Sequence, residues 1–189
     1  ENMKNIKSYL ITDPNYFSDN KEIFKEKLIA VLKNHKIDFA CFRDKSSKNI
    51  EELAKIFLQI CKEFEIENIL INSNISLAIK LGFDGVHLNS QQFDKIENAK
   101  KSKLITIISC HNLEELEKAM NKNIDFVTYS PIFDTPNKGQ SKGVDKLNEV
   151  IEKFPNLKIF ALGGIIQNEQ IKEIEKTKAY GFASIRYFI

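Results

Sequence analysis

The chain has 189 residues, 42% of them hydrophobic and 29% charged, enough to bury one good core in a single domain spanning 1–189. Its 28 basic and 26 acidic residues leave a net charge of +2, so bulk charge points to neither a nucleic acid nor an anionic membrane surface as partner. Three cysteines, Cys41, Cys61 and Cys110, form no C-x-x-C pair, which argues against a disulfide framework or a zinc site and fits a reducing cytoplasm.

At the N-terminus, "ENMKNIKSYLITD" carries too short an apolar run for a signal peptide, and Glu1-Asn2 ahead of Met3 reads as an addition before a natural start. No stretch reaches the roughly 18 apolar residues of a membrane span. In chain order, eight short apolar runs then read as strands: "SYLIT" at 8–12, "DFACF" at 38–42, "NILI" at 68–71, "GVHL" at 85–88, "LITIIS" at 104–109, "DFVTY" at 125–129, "KIFAL" at 158–162 and "GFASI" at 181–185. They are continuous, not alternating, as in parallel strands buried on both faces.

Helical segments lie between them. In 49–64, Ile50, Leu53, Ile56, Phe57, Ile60, Cys61 and Phe64 recur at spacings of three and four. In "HNLEELEKAM", Asn112 is placed as an N-cap with Glu115 three residues on, and Leu113, Leu116 and Met120 mark the inner face. This alternation predicts a (β/α)8 TIM barrel with a very short or missing last helix, since only a few residues follow the eighth strand. The alternative, an open doubly wound sheet, lacks a G-x-G-x-x-G after an early strand. The turn-rich "SPIFDTPNKGQSKG" at 130–143 predicts a long loop after strand six.

A parallel barrel collects its functional residues at the C-terminal strand ends. Here those positions hold Asp13; Arg43, Asp44 and Lys45; Asn72; Asn89; Ser109, Cys110 and His111; Thr135 and Lys138; Gly163 and Gly164; and Arg186. Gly163, Gly164 and the amides from Ser184 through Ile185 to Arg186 are candidates for a phosphate, although a tight turn would also need the glycines. Arg43 and Lys45 are candidates for an anion. His111 has the side chain suited to proton transfer at neutral pH, whereas His87 reads as a hydrogen-bonded core group and His35 as a surface residue. Cys110 adjoins His111 and should point to the opposite side of the strand, so the two do not form a nucleophile pair. The three thiols read as packing residues.

Two strand ends are unusual. Asn72-Ser73-Asn74 and Asn89-Ser90-Gln91-Gln92 cluster polar side chains without a charge. With "YLITD" at 9–13, "CFRDK" at 41–45, "ISCHNLEELEKAM" at 108–120, "IDFVTYSPIFDTPNKG" at 124–139 and "FALGGI" at 160–165, their order resembles the thiamine phosphate synthase / TenI superfamily along nearly the whole chain. The resemblance implies one of two activities. The synthase joins an aminopyrimidine diphosphate to a thiazole phosphate with Mg²⁺ on the diphosphate; the TenI-type thiazole tautomerase aromatises carboxythiazole phosphate without a metal.

In the synthase pattern two aspartates hold Mg²⁺, and here their places are taken by Ser73 and Gln92. Cys41 replaces a glutamine, Asn137 replaces the second threonine of a Thr-Pro-Thr-Lys loop that keeps Thr135 and Lys138, and Arg186 stands where the pattern has a serine. These departures lead to the expectation of a metal-independent tautomerase. In that reading His111 moves the proton, Gly163, Gly164, Ile185 and Arg186 hold the phosphate, and Arg43, Lys45 or Lys138 holds the carboxylate, with Asn72 and Thr135 beside them. Two alternatives stand: a divergent synthase, the only case that calls for Mg²⁺, and a binder of thiazole phosphate without catalysis. The resemblance also allows a homodimer and a functional link to thiazole synthase.

Overall fold

In the computed structural model, which describes residues 6–189, eight parallel strands close into a barrel in sequential order. The strands are β1 (Lys7–Ile11), β2 (Phe39–Phe42), β3 (Asn68–Asn72), β4 (Gly85–Leu88), β5 (Ile105–Cys110), β6 (Phe126–Tyr129), β7 (Ile159–Leu162) and β8 (Gly181–Ser184). Each falls within a residue or two of an apolar run in the sequence. Glu1, Asn2 and Met3 lie outside the described residues.

The helices are α1 (Pro14–Phe17), α2 (Lys21–Asn34), α3 (Ile50–Glu63), α4 (Ile75–Leu81), α5 (Ile96–Lys101), α6 (Leu113–Asn121), α7 (Gly143–Lys153) and α8 (Asn168–Glu175). After β8 only a single 3-10 turn, Arg186–Phe188, is present. Closure does not depend on a helix there, because β1 and β8 pair directly from Lys7↔Gly181 to Leu10↔Ser184. The turn packs Phe188 under Phe182, with ring centroids 5.9 Å apart, and against His35 at 5.2 Å. His35 is therefore half-buried and not the surface residue expected.

Local chemistry sets the helix starts. Asn20 accepts the N–H groups of Glu22 and Ile23 to open α2, and Asn74 accepts that of Leu77 to open α4. At α6, Asn112 accepts the Glu115 N–H at 2.8 Å, as its spacing predicts. Glu115 reaches back one residue further than in a standard capping box, taking the N–H of His111 at 2.7 Å.

The period-two alternation of the strands sorts the core into two parts. Outward side chains, Cys110 and Tyr129 among them, pack beneath the helices with Cys61 of α3. Inward ones, including Tyr9, Phe39, Cys41, Leu70, Ile107 and Phe160, fill the barrel, with Phe126 and Tyr180 against them. Phe160 lies 5.1 Å from both Tyr9 and Phe39, and Phe39 lies 5.1 Å from Phe126, all edge-on. Such packing favours aromatic quadrupoles and leaves no channel through the lower barrel. All three cysteines are buried free thiols, in keeping with a packing role.

Truncating Phe160, which is fully buried, should remove the centre of this aromatic cluster. Phe160→Ala is expected to cost about 3–5 kcal/mol of stability by urea denaturation.

Candidate active site

With the lower barrel filled, the C-terminal ends of the strands form the mouth. A buried polar chain runs across the interior immediately below it. Tyr9 Oη lies 2.7 Å from His87 Nδ1, His87 Nε2 lies 2.9 Å from Ser109 Oγ, and Thr128 Oγ1 donates to Ser109 Oγ at 3.4 Å. Burial, with Arg43 nearby, pushes the His87 pKa down to about 3, and burial raises that of the Tyr9 hydroxyl well above its ordinary value.

Tyr9 and His87 are therefore both neutral, and the tautomer of the imidazole decides which of Tyr9 and Ser109 donates to the ring and which accepts from it. Cys41 stays a thiol, its pKa raised to about 12 by burial, and its S–H faces the Phe42 carbonyl. The sequence reading of His87 as a core group holds, but it missed the link from Tyr9 to Ser109. Tyr9 and His87 are 78 residues apart, and only barrel closure brings them together.

Cationic side chains stand over one side of the mouth. The backbone N–H of Arg43 donates to Thr12 Oγ1 at 3.1 Å, and its guanidinium lies 3.6 Å from Asp13. Lys45 is exposed two residues further on. Between them Asp44 is consumed by its own turn, accepting from the N–H groups of Ser46 and Ser47 and from the Ser47 hydroxyl. Asn72 ends β3 half-buried, and its side chain makes no hydrogen bond among the described residues.

The glycine pair serves two purposes. Gly163 and Gly164 have φ of 110° and 68°, and a Cβ on Gly164 would sit 2.5 Å from the Asp134 carbonyl oxygen. One on Gly163 would sit 2.7 Å from Pro131 Cα. The close approach read from the sequence as a ligand's is thus made by the chain's own 130–143 loop. The Ile132 and Phe133 N–H groups donate to the Leu162 and Gly163 carbonyls, Gln170 Nε2 to that of Gly164, and Ser184 Oγ to that of Ile165. Four consecutive carbonyls are therefore turned away and satisfied. In trans peptides the opposing N–H groups of Gly163, Gly164 and Ile165 point the other way, as in an anion-binding nest. Ile185 and Arg186 border this cradle, both half-buried.

The 130–143 loop is pinned at its root, where the Lys142 and Gly143 N–H groups donate to the Pro131 and Ile132 carbonyls. It carries half-buried Thr135, whose hydroxyl bonds to the Phe133 carbonyl at 3.1 Å, and exposed Lys138. His111 stands on the exposed rim with Nδ1 3.2 Å from Glu115 Oε1, outside the buried polar chain.

The neutral strand ends prove to be turn builders. Gln92 Oε1 accepts the Asn89 N–H at 3.0 Å and its Nε2 donates to the Ser73 carbonyl at 3.2 Å, tying β4 to β3. Asn89 Oδ1 accepts the Gln91 N–H. Ser73, at φ 62°, has a buried hydroxyl with no partner. These groups do not fit a carboxylate-held Mg²⁺. Asp44 is consumed, Asp13 faces Arg43 and caps α1, and no group of three or more His, Cys, Asp or Glu placed to hold a metal occurs among the described residues.

A closed (β/α)8 barrel with polar and charged side chains gathered at its C-terminal strand ends is an α/β scaffold of the TIM-barrel class. Residues 8–188 match the family model described as thiamine monophosphate synthase (TMP-TENI), and the chain belongs to this family. It is 36% identical over 186 residues to the "Putative thiamine-phosphate synthase 2" of Aquifex aeolicus, covering 96% of both chains. It is 32% identical to the thiamine-phosphate synthase of Pelagibacter ubique, over 87% of this chain and 81% of that one. The solved thiamine phosphate pyrophosphorylase of Pyrococcus furiosus superposes with a TM-score of 0.78 at 25% identity, over 95% of this chain and 85% of that one.

These relatives overturn the expectation of a tautomerase, an isomerase, because they carry the synthase name. The inference from Ser73 and Gln92 failed for a physical reason. Ser73 and Gln92 bear on how a metal would be held, and their neutrality does not by itself take the chain out of the synthase branch.

The depressed His87 pKa has a measurable consequence. Below pH 6.5 the unfolded chain protonates this imidazole and the folded chain does not, so stability falls with pH down to about 3. Wild type should lose up to about 1.4 kcal/mol per pH unit more across this window than His87→Gln, measured by urea denaturation at several pH values.

Proposed function

We propose that the chain is a thiamine-phosphate synthase, a transferase that joins an aminopyrimidine diphosphate to a thiazole phosphate. What supports this reading, beside the synthase name of the relatives, is two sets of candidate anion-binding groups at the strand ends of one barrel. One is the amide cradle of Gly163, Gly164 and Ile165, bordered by Ile185 and Arg186, which suits the thiazole phosphate. The other comprises Arg43, Lys45 and, from the loop, Lys138, which suit the diphosphate. A tautomerase substrate has no diphosphate to place there.

In the transfer, the bond between the pyrimidine methylene carbon and the diphosphate oxygen breaks, and its electron pair leaves with the diphosphate. The thiazole nitrogen lone pair forms the new C–N bond. The chain's contribution is to hold the two substrates in line and meet the charge that develops on the leaving group. The Ser109 hydroxyl and the Asn72 amide, both half-buried at strand ends, can hydrogen-bond polar groups of the substrates.

The test is product formation. Purified protein given both substrates should yield thiamine phosphate by mass spectrometry, and no product at high enzyme concentration would overturn the reading. Lys138→Ala should lower kcat/KM by about 10- to 100-fold, and Arg43→Ala by at least as much.

A further inference from the structure

The family's use of Mg²⁺ and the residues at the ends of β3 and β4 disagree, and the disagreement concerns charge. A hard divalent ion seeks anionic oxygens in an open octahedral site. Here Ser73 Oγ is shut off from solvent and Gln92 is a neutral amide held at both ends. An ion could reach the Ser73 hydroxyl only by pulling this turn apart. Among neighbouring carboxylates, Asp44 is bound to Ser46 and Ser47, and Asp13 caps α1 and faces Arg43. Asp94 stands exposed on the 3-10 turn Phe93–Lys95 as a lone carboxylate outside any group of three or more His, Cys, Asp or Glu among the described residues.

The opposite charge is in place. Arg43 keeps guanidinium donors beyond its 3.6 Å approach to Asp13, and Lys45 and Lys138 form no ion pair among the described residues. We propose that this chain holds its diphosphate through Arg43, Lys45 and Lys138 themselves and recruits no divalent ion to it. The inference rests on the transferase reading above. The guanidinium supplies directional paired hydrogen bonds and the ammonium groups supply mobile point charges, so together they do the electrostatic work of an ion without needing its carboxylate ligands.

The test reads binding, not turnover, with inorganic pyrophosphate as probe. Calorimetry in excess EDTA should show pyrophosphate binding, weakened about tenfold or more by Lys45→Ala. Water-proton relaxation of Mn²⁺ with pyrophosphate should show no enhancement on adding wild-type protein. The Ser73→Asp, Gln92→Asp chain, which restores both carboxylates, should show it. Enhancement with wild type, or no pyrophosphate binding in EDTA, would overturn the proposal. If the double variant does not fold, the two wild-type measurements still decide. Failure of the transferase reading is seen separately, as absence of thiamine phosphate with or without Mg²⁺ while metal-free pyrophosphate binding persists.

Discussion

A closed ring of eight strands has to fill its own interior, and here aromatic side chains fill it. Phe39, Phe126, Phe160 and Tyr180 meet edge to face or tilted with centroids 5.1–6.1 Å apart, closing the lower barrel with apolar surface. Polar groups are thereby confined to the upper layer. Tyr9 belongs to both regions: its ring contacts Phe160 and its hydroxyl meets His87, so aromatic packing sets the height at which the polar chain begins. Ser109 is tied to this arrangement through His87, and the mouth above inherits a packed floor.

Above that floor the mouth is built from backbone as much as from side chains. The carbonyls of Leu162, Gly163, Gly164 and Ile165 are all bound within the protein, and neutral Asn and Gln residues tie neighbouring strand ends together. Charged side chains are spread over several strand ends, with Arg43 and Lys45 after β2, Lys138 on the 130–143 loop and Arg186 after β8.

Much of the fold was legible in the sequence because each strand is a continuous apolar run and each long helix carries a stripe. The Asn112 cap was legible for the same reason, since its chemistry is local. His87 could be read as a core group from its apolar neighbours, but its partners Tyr9 and Ser109 could not, because strand register decides them. Gly163 and Gly164 were read correctly as a place of close approach, yet sequence cannot say whether a ligand or another loop approaches. The choice of activity went wrong at Ser73 and Gln92. A lost ligand pair shows that one device is absent; it does not show that the reaction the device serves is absent, as long as other charges on the same rim can take its place.

The seat of the 130–143 loop on the glycine pair bears on how such a chain can change over time. A side chain at Gly164 would collide with the Asp134 carbonyl before any ligand entered the question. The pair is thus held in place by the protein's own packing, and a descendant that bound nothing at this rim would still retain both glycines. As a signature, they record how the loop docks.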